Sequence, residues 1–177
     1  RQFHKYWKVE SESPDYKVTF QGDTAEILSP KGLTLWRKEK MSGRVTIEYD
    51  ACVVVEKEGD RLSDLNCFWM ASDPKHPDNI WKREKWRNCY SLQLYYMGYG
   101  GNYNSTTRFR RYDGNEAEIT DPKVRPAILK EYTDTEHLLK ANHWYHIKIT
   151  NENNRVSYYI NGVRLVDFRD AEPLTEG

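Results

Sequence analysis

The chain of 177 residues carries 27 basic and 27 acidic side chains. With a formal net charge of zero, no global field draws it to nucleic acid or to an anionic membrane. Mean hydropathy is low, -0.91, yet aromatic residues make up 14% of the chain, a share that disordered sequences lack.

That combination describes a charged surface around a core rich in Tyr and Trp, and the length suits a single domain, 1–177. No apolar run approaches the ~20 residues needed to span a bilayer. The stretch Arg1–Glu10 lacks the apolar centre of a signal peptide. Because the first residue is Arg and not Met, a processed protein stays open, and a secreted or periplasmic location is expected. Cys52, Cys67 and Cys89 form an odd set without CxxC spacing. They are expected as buried thiols, with one bridge and a leftover thiol as the alternative. No His stands at ligand spacing from them, so zinc is not expected.

In chain order, Phe3 to Val9 starts a first strand, and Tyr16 to Phe20 and Ala25 to Leu28 are short strands separated by Gln21-Gly22-Asp23. Leu33, Leu35 and Trp36 form an apolar patch. Arg44 to Val55 is the longest β-rich run, with Val45, Ile47 and Tyr49 on one face and Thr46, Glu48 and Asp50 on the other. Asp64 to Met70 reads as a mostly buried strand. Ser72 to Lys85 is a long polar loop holding His76 and Trp81, with Trp86 beside it, and a loop of that length is often functional.

Tyr90 to Tyr112 reads as a central hairpin. Tyr90, Leu92, Leu94 and Tyr96 alternate with Ser91, Gln93, Tyr95 and Met97, then a glycine-rich bend leads into Thr106 to Tyr112. With Phe109 inside, Arg108, Arg110 and Tyr112 are expected on the same side as Gln93 and Tyr95. Asp113 to Asn142 is polar, with a helical turn or two at most in Glu131 to Lys140. His143 to Ile149, Val156 to Ile160 and Val163 to Phe168 are the last strands, and Asn161-Gly162 is a two-residue type I′ hairpin signal. Short strands and no periodic helix predict an all-β, antiparallel two-sheet sandwich. No apolar strand follows Phe168, so a C-terminal edge strand is expected to be missing.

The hairpin Trp144-Tyr145-His146-Ile147-Lys148-Ile149 followed by Val156 to Gly162 resembles the closing hairpin of concanavalin A-like jelly rolls. With Trp36, Asp64-Leu65-Asn66 and Asn104 to Arg111, most of the chain resembles YesU-like and related bacterial domains of unassigned function, some of which carry the name of glycosyl hydrolases. The resemblance implies a concanavalin A-like jelly roll with long loops flanking a concave, glycan-holding sheet.

Three chemistries follow from the residues. The acidic strand pattern of concanavalin A-like glucanases begins at Glu48-Tyr49-Asp50, but Val53 and Val54 stand where the next acid belongs. That mechanism is set aside, leaving a pair drawn from Asp64, Asp73 and Asp78 open. A uronate lyase needs a base and a cation beside the substrate carboxylate. Arg108 and Arg110 with Tyr95 or Tyr112, and His76 in the long loop as another base, are the catalytic candidates, against an alternative in which an Arg/Tyr ladder simply covers a sheet. Plain binding would use Gln93, Tyr112, Trp81, Trp86, Tyr99, Asn102 and Asn104, rings for stacking and amides for hydroxyls. Trp36, Trp69 and Trp144 are expected in the core. No cofactor is expected; calcium at Asp23, Asp167 or Asp170 is the one ion that the oxygen ligands would suit. The expected partner is a polysaccharide or oligosaccharide, acidic because of Arg108, Arg110 and Arg111. The reading leans toward a hydrolase or lyase, with a non-catalytic binding or accessory module as the alternative.

Overall fold

A computed structural model describes residues 2–83, 88–115, 121 and 123–177. The chain divides into two compact units, residues 1–40 with 81–89, and residues 41–80 with 90–177.

In the first unit a single turn of helix, α1 (Phe3–Tyr6), leads into β1 (Trp7–Glu10). That strand pairs antiparallel with β4 (Thr34–Arg37). Between them β2 (Lys17–Gln21) and β3 (Thr24–Leu28) form a hairpin closed by Gly22 at φ 59°. Arg83 Nη2 donates to both carboxylate oxygens of Glu10, 2.8 and 3.0 Å, in a nearly buried pair. Burial pushes the Glu10 carboxyl up even though the guanidinium pulls it down. Glu10→Ala would remove the carboxylate that accepts from Arg83, and is expected to cost about 3 kcal/mol by urea unfolding. A loss below ~0.5 kcal/mol would show the pair to be dispensable.

The second unit is the sandwich. One sheet runs β12 (Val163–Arg169), β11 (Arg155–Ile160), β10 (Trp144–Glu152), β5 (Val45–Cys52). The other runs β6 (Leu65–Ser72), β7 (Gln93–Gly100), β8 (Thr106–Asp113), β9 (Ile128–Tyr132). All pairings are antiparallel. Alternate residues of the first sheet, Tyr145, Ile147 and Ile149 with Val156, Tyr158 and Ile160, pack against Trp69, Tyr95, Met97, Tyr99 and Phe109 of the second. The hairpin signal at Asn161-Gly162 is met: both residues have positive φ, 49° and 79°. The cysteines are free, and burial pushes the Cys67 thiol up to about 11.

Several expectations fail in instructive ways. Strand β9 was expected as polar loop: its sequence Ile-Leu-Lys-Glu-Tyr lacks alternation because it is a largely exposed edge. The expected helical turns shrink to a 3₁₀ turn, Thr135–His137. Trp144, expected in the core, is 59% exposed, because Tyr145, Ile147 and Ile149 take the inner face of β10.

On the outer face of β10, His146 touches Asp50 through Nδ1 and Glu48 through Nε2, each at 2.7 Å. Hydrogen bonds to these two carboxylates hold its pKa above the usual 6.5, Asp50 contributing most. A raised folded-state pKa means the bridge contributes fully below the unfolded value and is lost as pH rises through the folded one. NMR titration should therefore place His146 above 6.5, and Asp50→Asn should lower it. An unshifted His146 would show that the ring does not bridge the carboxylates in solution.

Candidate functional site

The register of the β6–β9 sheet decides which side chains share a face. Met97 pairs with Phe109, so Tyr95 and Arg111, opposite each other, point inward with them. The outer face instead takes the alternate set, which forms cross-strand rows. The first row is Asn66, Gly98, Arg108 and Glu131; the second is Phe68, Tyr96 and Arg110; the third pairs Leu94 with Tyr112.

Glycine at position 98 shapes this face. A Cβ there would lie 2.2 Å from the Tyr96 hydroxyl oxygen and 2.7 Å from the ring carbon that bears it. The Tyr96 ring is therefore laid along the strand over bare backbone, toward the first row. Phe68 lies beside it at 5.5 Å and Tyr112 at 5.6 Å between centroids, and Tyr90 continues the run 5.4 Å from Tyr112. The Arg125 guanidinium stands over Tyr90, 5.0 Å from the ring centre. At the open end Arg108 donates from Nε to Glu131, 2.5 Å, and Asn66 is exposed. Arg110 donates to the Pro126 carbonyl. The result is an aromatic strip that ends at an amide and a guanidinium–carboxylate pair.

The expectation that Tyr95 shares this face with Arg108 and Arg110 is overturned. Tyr95 is fully buried in the core, and its hydroxyl donates to Asp170 at 2.7 Å while accepting from the Leu174 N–H at 3.0 Å. Burial pushes its pKa up to about 12, so it stays a phenol and is no base near neutral pH. Arg111 also donates to Asp170, 2.7 Å. Gln93 follows the inward parity of Tyr95 and is only partly buried, at the strand end that pairs with Ser72 and Asp113.

Other candidates are structural. Tyr99 is core, with its hydroxyl donating to the Leu138 carbonyl, and burial raises its pKa. Asn104 clamps Leu139, donating to its carbonyl at 2.9 Å and accepting its N–H at 2.8 Å. Asn102, expected to bind a hydroxyl, lies in the exposed turn, where its carbonyl accepts from Ser105. In the glycine-rich bend the left-handed positions are Gly100 and then Asn102, Tyr103 and Asn104, with φ of 52° to 57° for the last three. Tyr112 does lie on the outer face, but beneath other rings.

His76 is oriented by buried Asp73, Nδ1 to Oδ2 2.9 Å, and Asp73 also accepts the Lys75 N–H. This dyad follows β6 at the Gln93 end of β7, while Arg108 pairs at Gly98, about 16 Å further along the strand. Of the three open acids, Asp64 bridges Arg61 and Asp73 holds His76. Trp81 belongs to the first unit, edge-on to Trp36 at 5.9 Å. Trp86 lies outside the described residues. Asp167 is paired with Arg155 and Arg164, and Asp170 with Arg111. Among the described residues no group of three or more His, Cys, Asp or Glu could hold a metal ion. No helix among them is long and apolar enough to cross a membrane.

Sequence reasoning missed Asn66, Phe68, Tyr96 and Glu131 as face residues. The parity of Leu94 and Tyr96 was visible; what was missing was the partner register that sets Arg108 and Arg110 beside them.

The sheets define an all-β antiparallel sandwich of the galectin-like, jelly-roll class. Within that class the chain belongs to the family described as a domain of unknown function, DUF6250, which it matches over residues 27–177. No curated protein matches it in sequence. It is similar to a Bacillus subtilis protein of unknown function with a galectin-like fold, at TM-score 0.70 and 14% identity, covering 98% of this chain and 80% of that one. It is also similar to the carbohydrate binding module CBM66 from Bacillus subtilis, at TM-score 0.57 and 14% identity, covering 97% and 83%.

Proposed function

We propose that the chain is a carbohydrate-binding module that holds polysaccharide on the outer face of the β6–β9 sheet. The observation that carries this is the Tyr96 ring laid over Gly98 and leading to Asn66 and the Arg108–Glu131 pair. An apolar ring face suits the C–H face of a pyranose, while amide, guanidinium and carboxylate together donate to and accept from its hydroxyls. The carbohydrate-binding neighbour of similar fold adds support.

Binding without cleavage is the better reading of this face. Tyr95 is withdrawn into the core as a phenol, and His76 is rooted away from Arg108. Two of the three arginines that suggested an acidic ligand have their charge met by a carboxylate, Arg108 by Glu131 and Arg111 by Asp170, while Arg110 donates to a carbonyl. The face therefore reads mainly hydroxyls, and its affinity should depend only modestly on salt.

Calorimetry against a panel of soluble polysaccharides, with reducing-end and unsaturated-product assays alongside, tests this. We expect binding without product, weakened about tenfold, ~1.4 kcal/mol, by Arg108→Ala. Release of new reducing ends or of an unsaturated product would replace the module with an enzyme. Full affinity in both Arg108→Ala and Asn66→Ala would remove the face from the account.

A further inference from the structure

The first unit contains a groove of ≈ 460 Å³ whose walls include Trp7, Tyr16 and Trp81 and whose cationic side chains are Lys8 and Lys38, with the His4 imidazole beside them. We propose that this groove is a second, independent glycan site, and that it takes an acidic sugar residue, a uronate within a polysaccharide chain. It does not rest on the reading of the sheet face, because none of its residues lies in the β6–β9 sheet.

The case is one of composition and charge. Its volume falls in the range of small-ligand sites, roughly 300–1,000 Å³. Three aromatic side chains line it, and His4, Lys8 and Lys38 are exposed to solvent. Among the described residues no carboxylate lines it, although the whole chain is balanced in charge. Of the described carboxylates one residue away from the lining, Glu10 is engaged by Arg83 and Glu39 by Arg37, and Asp15 stands beside Tyr16.

The geometry keeps the cations at the rings. Lys8 holds its ammonium 5.4 Å from the centre of Trp81, and Lys38 donates to the His4 carbonyl at 2.5 Å. An ammonium has three donors, so Lys38 keeps others for a ligand carboxylate. Trp81 makes an edge-on contact with Trp36, and the Arg83 guanidinium stands 5.4 Å from the Trp36 ring. A stacking wall with point cations at its rim matches a pyranose whose exocyclic group is a carboxylate. A nucleic-acid strand presents a phosphate at every step, and two lysines and a histidine are a sparse complement for it. The family match begins at residue 27, so most of this groove is built by chain that the match does not reach.

The test uses the intact chain and a matched pair of ligands, an oligogalacturonate and its methyl ester, which share rings and linkage and differ in charge. Binding is followed by tryptophan fluorescence and calorimetry at low and at ~0.3 M salt. The free acid should bind at least fivefold more tightly than the ester, and that advantage should shrink at the higher salt. Lys8→Gln and Lys38→Gln are exposed substitutions that leave the rings in place, and each should reduce the preference for the acid. Circular dichroism checks that both remain folded. Equal affinity for acid and ester, or unchanged preference in the Lys8→Gln/Lys38→Gln double variant, overturns the proposal. So does tighter binding of a single-stranded oligonucleotide than of the oligogalacturonate.

Discussion

Replacing Asp170 by alanine is expected to destabilise the sandwich by about 3 kcal/mol, a large part of the total stability of a domain this size. Asp170 is 6% exposed and accepts from the Tyr95 hydroxyl, Arg111 Nε and the Glu172 N–H. Arg111 donates onward to the Glu172 carbonyl, and Tyr95 accepts from the Leu174 N–H. One carboxylate thus ties β7 and β8 to residues 172–174. Alanine would leave a guanidinium, a phenol and an amide short of their acceptor at once, each carrying its desolvation cost. Tyr95→Phe removes only the hydroxyl and should cost about 1–3 kcal/mol. Urea unfolding at unchanged m-value gives both numbers. An Asp170→Ala variant within ~0.5 kcal/mol of the parent would show that water replaces these bonds freely.

Gly98→Ala should have the opposite profile, little effect on stability and a large one on glycan binding. The position is an ordinary strand residue in φ, so alanine brings no backbone strain and even reduces the entropy lost on folding, by roughly 0.5–1 kcal/mol. Its methyl group, however, needs the space that the Tyr96 ring occupies. The ring must swing away from the Asn66 and Arg108 row, and affinity should fall at least tenfold, ~1.4 kcal/mol. Tyr96→Ala, measured in parallel, should give a similar loss by removing the ring altogether. Undiminished binding by Gly98→Ala would mean that the lie of this ring is irrelevant to the ligand.

These two positions also mark where sequence reading reached and where it stopped. Elements held by local chemistry were legible: Asn161-Gly162 needs two positive φ values, and residues that tolerate them stand there. The inward set Tyr145, Ile147, Ile149 was legible by alternation, which should also have put Trp144 outside with His146. The face shared by β7 and β8 was not legible. It depends on how many residues the turn consumes, and a slip of one moves every side chain to the opposite side. The turn runs left-handed through Asn102, Tyr103 and Asn104, a path that glycine content did not indicate. Tyr95 and Arg108 were separated by that detail alone. The groove of the first unit was illegible for another reason: its walls come from residues 4–16, 38 and 81, which no local pattern links.

The order of pairing has a consequence for how this protein is made. Strand β5 bonds only to β10 within its sheet, and residues 41–43 bond to residues 175–177. On the ribosome, residues 45–52 therefore emerge long before any partner exists for them, whereas β6, β7 and β8 meet neighbours soon after they appear. The meander should assemble first and the opposing sheet only once residues 144–169 have emerged. Until then the apolar side of the nascent half-sandwich stands uncovered, the period in which a chaperone would find it.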